Sequence, residues 1–218
     1  MKMLGAMVLI IVLSSVAFAS GSNGLYFLLG TTMPQLDELN GRLADYNYTE
    51  ISNRLVSYGV GFHGTIKKHL LLGFEWSTMS GKEVKSSDGT IKENLCASVW
   101  FVDIGYTIIS VANFNVYPFL GVGKGDMTLT LSEIDNLSFD EILEGPTGIT
   151  RLSTGGFLVN PSIGIDYSLG GNFLIGLRGG YTFDPFVGNW KIEDSKISDG
   201  PETSLIGPYI NIMLGFGK

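Results

Sequence analysis

With 218 residues and a formal net charge of −7, the chain suffices for one sizeable domain and lacks the Lys and Arg excess needed to grip phosphate backbones, which argues against nucleic acid as a partner. Hydrophobic residues make up 44 % of it, yet beyond residue 19 no uninterrupted apolar run approaches the roughly 20 residues of a spanning helix. Cys96 is the single cysteine, so an internal disulfide is excluded.

Residues 1–19 read as a secretory leader. Lys2 supplies the positive charge, Leu4 to Leu13 form an apolar run, and Ala17-Phe18-Ala19 offers small residues at the cleavage-recognition positions. Residues 20–218 read as one domain of eight alternating segments, whose strands are expected at 23–32, 54–66, 69–80, 94–109, 114–131, 153–168, 172–184 and 204–217. In the second, Val56, Tyr58, Val60 and Phe62 alternate with Ser57, Gly59, Gly61 and His63. In the third, Leu70, Leu72, Phe74 and Trp76 alternate with Leu71, Gly73, Glu75 and Ser77. The same division separates Trp100, Val102, Ile104 and Tyr106 from Phe101, Asp103 and Gly105, and Ile210, Ile212, Leu214 and Phe216 from Tyr209, Asn211, Met213 and Gly215. The first segment, Leu25 to Gly30, is apolar on both faces and its facing stays open.

Connectors alternate between long and short. The short ones lie near Lys67, at Val111 to Asn113 and at Gly170-Gly171, while the long ones span 33–53, 81–93, 132–152 and 185–203. Leu36, Leu39, Leu43 and Tyr46 recur at helical spacing behind Pro34, and Ser138 to Glu141 has capping-box spacing before Gly145-Pro146, so each of those loops is expected to hold a short helix. Ser87-Asp88-Gly89 marks a hairpin tip.

Strands with one face in oil and the other in polar surroundings must close on themselves in lipid to pair every backbone group. The fold class is therefore all-β: an eight-stranded antiparallel up-and-down transmembrane barrel with short helices in its extracellular loops. A lipocalin-like soluble barrel would show the reverse alternation, apolar inside and polar outside. Pro118 and Pro161 fall within strands, and a bulge is the expected accommodation at Pro161.

Glu75, Asp103 and Arg178 each stand about six residues above a turn on the inward face. A buried charge without a partner is very costly, so Arg178 is expected to pair with Glu75, Asp103 or Asp166 in a lumen ionic network. Outward, Tyr58, Trp76, Trp100, Tyr106, Tyr167 and Tyr181 are placed for an aromatic girdle at the membrane interfaces. Lys124 faces outward near the upper rim. His63 and His69 flank the Lys67 turn with no Cys or further His to complete a ligand set, so neither a metal nor another cofactor is expected. Gly121, Gly123 and Gly125 run on as strand rather than into a helix, which excludes a phosphate-cradling loop.

Val116-Tyr117-Pro118-Phe119-Leu120-Gly121-Val122-Gly123, the closing Gly207 to Phe216 segment and the leader resemble the small eight-stranded outer-membrane barrels, the group of the OmpA transmembrane domain, OmpX, OmpW and the opacity proteins. The resemblance covers essentially the whole mature chain. It implies the bacterial outer membrane, both termini periplasmic, and as partners outer-membrane lipids, lipopolysaccharide and the barrel-assembly machinery. Relatives of this type include anchors, adhesins, small channels and lipid-modifying enzymes. Enzymes of this architecture resemble one another in carrying His at the outer rim, where this chain has none, so no catalytic residues and no enzyme activity are expected. The expected function is structural or surface-interacting, with a side-chain-filled lumen and the four long loops facing an extracellular protein or surface partner. The alternative is a narrow channel or lateral-exit pore for small or apolar solutes.

Overall fold

The computed structural model describes residues 23–67, 69–133, 148–170, 172–192 and 195–217. The leader and the helix expected around Ser138 lie outside the described residues. In chain order the elements are β1 (Asn23–Thr32), α1 (Asp37–Asp45), β2 (Leu55–Lys67), β3 (Leu70–Ser80), β4 (Val84–Lys85), β5 (Ile91–Tyr106), β6 (Ile109–Val111), β7 (Phe114–Glu133), β8 (Ile149–Leu169), β9 (Phe173–Thr182), β10 (Lys191–Ile192), β11 (Ser195–Lys196) and β12 (Gly207–Gly217). Eight long strands pair antiparallel with their neighbours in the order β1-β2-β3-β5-β7-β8-β9-β12, and β12 pairs back onto β1 from Gly24↔Gly217 to Thr32↔Tyr209. Every long strand therefore has two neighbours and the sheet has closed into a barrel.

Short turns gather at one end, with Gly170 at φ +58° and Ala112 at φ +53°. The long connections gather at the other. β4 pairs with β5 through Val84↔Glu93 and Lys85↔Lys92, and Gly89, at φ +76°, closes the expected hairpin tip. The β2–β3 pairing shifts register between Thr65 and Lys67, beside the turn.

Alternation fixes the facing of every long strand. Leu25, Phe27 and Leu29 of β1 project outward at 57 %, 63 % and 56 % exposure, while Tyr26 and Leu28 are buried in the lumen, which settles the strand left open by its sequence. Ile104, Ile163, Ile210 and Phe216 continue the apolar exterior around the wall. A continuous apolar surface of this kind far exceeds the few hundred Å² that soluble monomers tolerate, and it matches the hydrocarbon core of a bilayer.

At Pro161 the wall departs from expectation. No bulge forms: the β8–β9 ladder runs from Leu169↔Phe173 to Ser162↔Gly180 and resumes in the same register at Val159↔Phe183, where both backbone hydrogen bonds are made at 2.9 and 2.8 Å. Proline has no N–H to donate, so one rung is missing. A bulge would have turned every inward residue above it to the outside, Leu158 included.

Glycines make an eight-stranded interior wide enough for aromatic side chains. A Cβ at Gly105 would strike the Phe119 ring, and one at Gly164 the Tyr117 ring. These close approaches are why large and minimal residues face one another across strand pairs.

Candidate functional site: the filled lumen

Three layers of side chains fill the barrel. At the loop end the layer is apolar: Leu95, Val99, Phe101, Met127, Leu129 and Leu158 of the wall form one cluster with Leu36, Leu39 and Leu43 of loop and helix. Helix α1 arises where the sequence predicted it, with Asp37 and Glu38 in its first turn and Arg42 in its last, both favourable to the helix dipole. It has no side-chain N-cap and carries Gly41 in its interior, so local propensity alone would not hold nine residues in a helix. Packing does. Its apolar face is buried at the barrel mouth, and the Asn40 side chain is clamped to Ile51 by two hydrogen bonds of 2.9 Å, one donated to the Ile51 carbonyl and one accepted from its N–H. Tyr46, grouped with those leucines by spacing, lies beyond the last turn and is exposed.

Beneath α1, Trp190 is buried and donates through Nε1 to the Pro201 carbonyl at 2.8 Å. Glu93 is fully buried there and accepts a 3.0 Å hydrogen bond from the Thr49 backbone N–H. Burial raises its carboxyl above the usual range. Nothing in the sequence singled out Glu93, which was assigned to the loop 81–93; it is the third residue of β5 and shares the inward parity of Leu95, Ala97 and Val99.

The middle layer is ionic. Arg178 on β9 extends Nη1 to within 2.8 Å of Glu75 Oε2 on β3 and Nη2 to within 3.0 Å of Asp103 Oδ1 on β5. Its Nε donates to Ser162 Oγ at 3.2 Å, and its guanidinium lies 4.7 Å from the centre of the Phe119 ring. All three charged residues are buried. The neighbouring strands supply neutral hydrogen bonds at similar depth: Ser57 Oγ to Asn211 Oδ1 at 2.8 Å, and Tyr209 Oη to Asn160 Oδ1 at 3.1 Å. The guanidinium thus cross-links three strands of the wall through the lumen.

Asp166 stands apart from this network, contrary to its grouping by sequence. It pairs in register with Asn115 and Gly176, close to the turn end, whereas Arg178 pairs with Gly164. Asn115 Nδ2 donates to Asp166 Oδ1 at 2.8 Å, and His63 Nε2 lies 3.8 Å from Oδ2. His63, Tyr26, Tyr117 and Phe119 make this third layer aromatic, with ring centroids 5.1–6.0 Å apart. Below them the layer opens into a cavity of about 120 Å³ with His63, His69, Leu71, Asn115, Tyr117 and Asp166 in its wall. Among the described residues no group of three or more His, Cys, Asp or Glu is placed to hold a metal ion.

On the outside, Tyr58, Trp76, Trp100, Tyr106, Tyr167 and Tyr181 all lie on the outward parity of their strands. Tyr106 and Tyr167 sit near the turn end, opposite Leu70 and Phe114, while Trp76 and Trp100 face each other across the β3–β5 pair nearer the loops. Lys124 also faces outward, exposed, and pairs with Asp126 at 3.0 Å on its own strand.

No family model and no curated protein matches the chain. It is similar in structure to Ail, the attachment invasion locus protein of Yersinia pestis, at 11 % identity and TM-score 0.48 over 91 % of this chain and 99 % of that one. It is also similar to the outer membrane protein OprG from Pseudomonas aeruginosa, at 14 % identity and TM-score 0.47 over 91 % and 95 %, and to the N-terminal β-barrel domain of Pseudomonas aeruginosa OprF, at 12 % and 0.40 over 91 % and 98 %. At TM-scores below 0.5 the barrel fold rests on this chain's own strand register, not on these likenesses.

Proposed function

We propose that the protein is a bacterial outer-membrane barrel with a structural or surface-interaction role and no enzymatic activity. The observation that carries this reading is the filled lumen: an apolar plug under α1, a three-strand ion cluster at Arg178, and an aromatic floor. In this reading the short turns and both termini face the periplasm, and the long loops face outward, as bacterial barrels keep them. The outward tyrosines and tryptophans sit at the two headgroup levels, and lipopolysaccharide and other outer-membrane lipids surround the wall. Helix α1 and the β4–β5 hairpin, held to the rim, then offer a fixed surface to an extracellular partner. Assembly by the barrel-assembly machinery follows from the same placement.

The rival role, a narrow channel or lateral exit for small or apolar solutes, requires a path past Arg178 or through the wall. The single missing rung at Pro161 is flanked by intact pairing, and above it the β8 wall is covered by the following loop, where Thr154 Oγ1 donates to the Gly188 carbonyl at 3.0 Å. Planar-bilayer recording of the folded protein separates the two roles. The structural reading expects a bilayer that stays at baseline, and discrete current steps in the wild-type protein would replace it with the channel.

A further inference from the structure

The buried charges of the lumen do not balance. Among the described residues four carboxylates are buried, Glu75, Glu93, Asp103 and Asp166, against one guanidinium, Arg178. Glu75 and Asp103 share Arg178. Among the described residues Asp166 has no Lys or Arg within ion-pair distance; it accepts one hydrogen bond, from Asn115 Nδ2 at 2.8 Å, and His63 Nε2 stands 3.8 Å away, beyond hydrogen-bond reach. A carboxylate taken out of water in this way is strongly unfavourable unless a positive group or several donors meet it.

That carboxylate lines a space that side chains leave open, the cavity of about 120 Å³ at the turn end. The His63 ring, itself buried, leaves Nδ1 without a hydrogen-bond partner. Asn115 is also in the wall, its Oδ1 accepting a 2.8 Å hydrogen bond from Ser110 Oγ. The rest of the wall includes the Tyr117 ring and the Leu71 side chain, both buried and apolar in body. A carboxylate with neighbouring acceptors, in a wall that also holds an aromatic ring and an aliphatic side chain, is the complement of a short alkylammonium ion: N–H donors for oxygen and nitrogen acceptors, positive charge for carboxylate and ring face, methylenes for Leu71.

We infer that the turn-end cavity is a binding site for a small primary alkylammonium ion, held by Asp166 with His63 and Asn115 and packed against Tyr117 and Leu71. Nothing in this assignment depends on the lumen being open, since the cavity lies below the ion cluster. The ligand enters and leaves from the turn end.

The chain has two histidines, and both line this cavity, so their imidazole Cε1–H resonances report on it selectively. The full chain, folded into detergent micelles, is titrated with n-propylammonium chloride, with n-propanol and with sodium chloride at matched ionic strength. The site predicts a saturable shift of the His63 resonance with the ammonium ion alone. Asp166→Asn is expected to weaken it at least about tenfold, the loss of one charge-assisted hydrogen bond. Ser110→Phe, at an exposed position on the cavity rim, is expected to block the shift while Asp166 keeps its charge, and serves if Asp166→Asn does not fold. No saturable shift, an equal shift with n-propanol, or saturation by sodium chloride would overturn the assignment, as would full binding by either folded variant.

Discussion

The two ends of the lumen solve the same problem in opposite ways. At the loop end the interior is apolar and shut by a helix whose leucines complete the cluster, and the buried acid there, Glu93, is met by a backbone N–H. At the turn end the interior is aromatic and polar, and it stays partly open, with His63 and Asp166 on a cavity. Between them Arg178 joins β9 to β3 and β5. The contrast teaches that the loop end is closed by a loop folding inward, while at the turn end strand side chains alone leave a space beside His63, Asn115 and Asp166.

The largest expected effect comes from removing the divider. Arg178→Ala leaves Glu75 and Asp103 buried without a counterion, and breaking such a cluster costs about 3–5 kcal/mol. The loss is read from urea unfolding in micelles. Neutralising the acids as well, in Arg178→Met with Glu75→Gln and Asp103→Asn, is expected to recover most of it, which would show that the cost lies in the unpaired carboxylates and not in lost volume.

Next in size is a change at the loop end. Leu39→Ala deletes buried contacts worth about 2–4 kcal/mol, but α1 is tied to the wall mainly by packing, so the effect is expected to stay local. Hydrogen exchange should rise across Asp37–Asp45 while the amides of β5 and β7 keep their protection. Equal loss of protection in both places would mean that plug and wall form one cooperative unit.

A smaller gain is expected at a turn. Ala112 holds φ at +53°, a conformation that disfavours a Cβ, so Ala112→Gly should raise stability by about 0.5 kcal/mol after its entropy cost in the unfolded chain. The smallest effect sits at the hairpin tip beside β4. Hydrogen bonds from the Ser86 hydroxyl, and then from the Thr90 backbone and hydroxyl, lower the Asp88 carboxyl from 3.8 to about 2. Its folded form is the more acidic, so its support for the tip is complete above pH 3.8 and fades as pH falls through about 2. Local exchange of the Gly89 and Ile91 amides measures this, and Asp88→Ala should abolish the pH step.

Much of the fold was readable because period-two alternation reports directly which side of a strand meets oil. Glu75, Asp103 and Arg178 were legible for the same reason: a charge on the inward face of a narrow barrel must find another. Asp166 was grouped with Arg178 by charge alone, although the two share the β8–β9 hairpin and in its register Arg178 lies opposite Gly164, two residues farther from the turn than Asp166. β1 was unreadable since Tyr26 and Leu28 inside are as apolar as Leu25 and Phe27 outside. The helix was visible in its leucine spacing, but its role as a plug depends on Leu95, Met127 and Leu129, which come from distant strands. The turn-end cavity had no sequence signature, because its wall is assembled from residues of β2, β3, β6, β7 and β8 that lie far apart in the chain.

Tryptophan quenching tests the account most directly. Trp76 and Trp100 face outward on the wall, and Trp190 is buried beneath the loops. In bilayers of brominated lipid, variants that keep one tryptophan each should be strongly quenched at Trp76 and Trp100 and nearly unquenched at Trp190. Protection of Trp76 and Trp100, with the protein stable in the absence of any amphiphile, would contradict a wall that faces lipid.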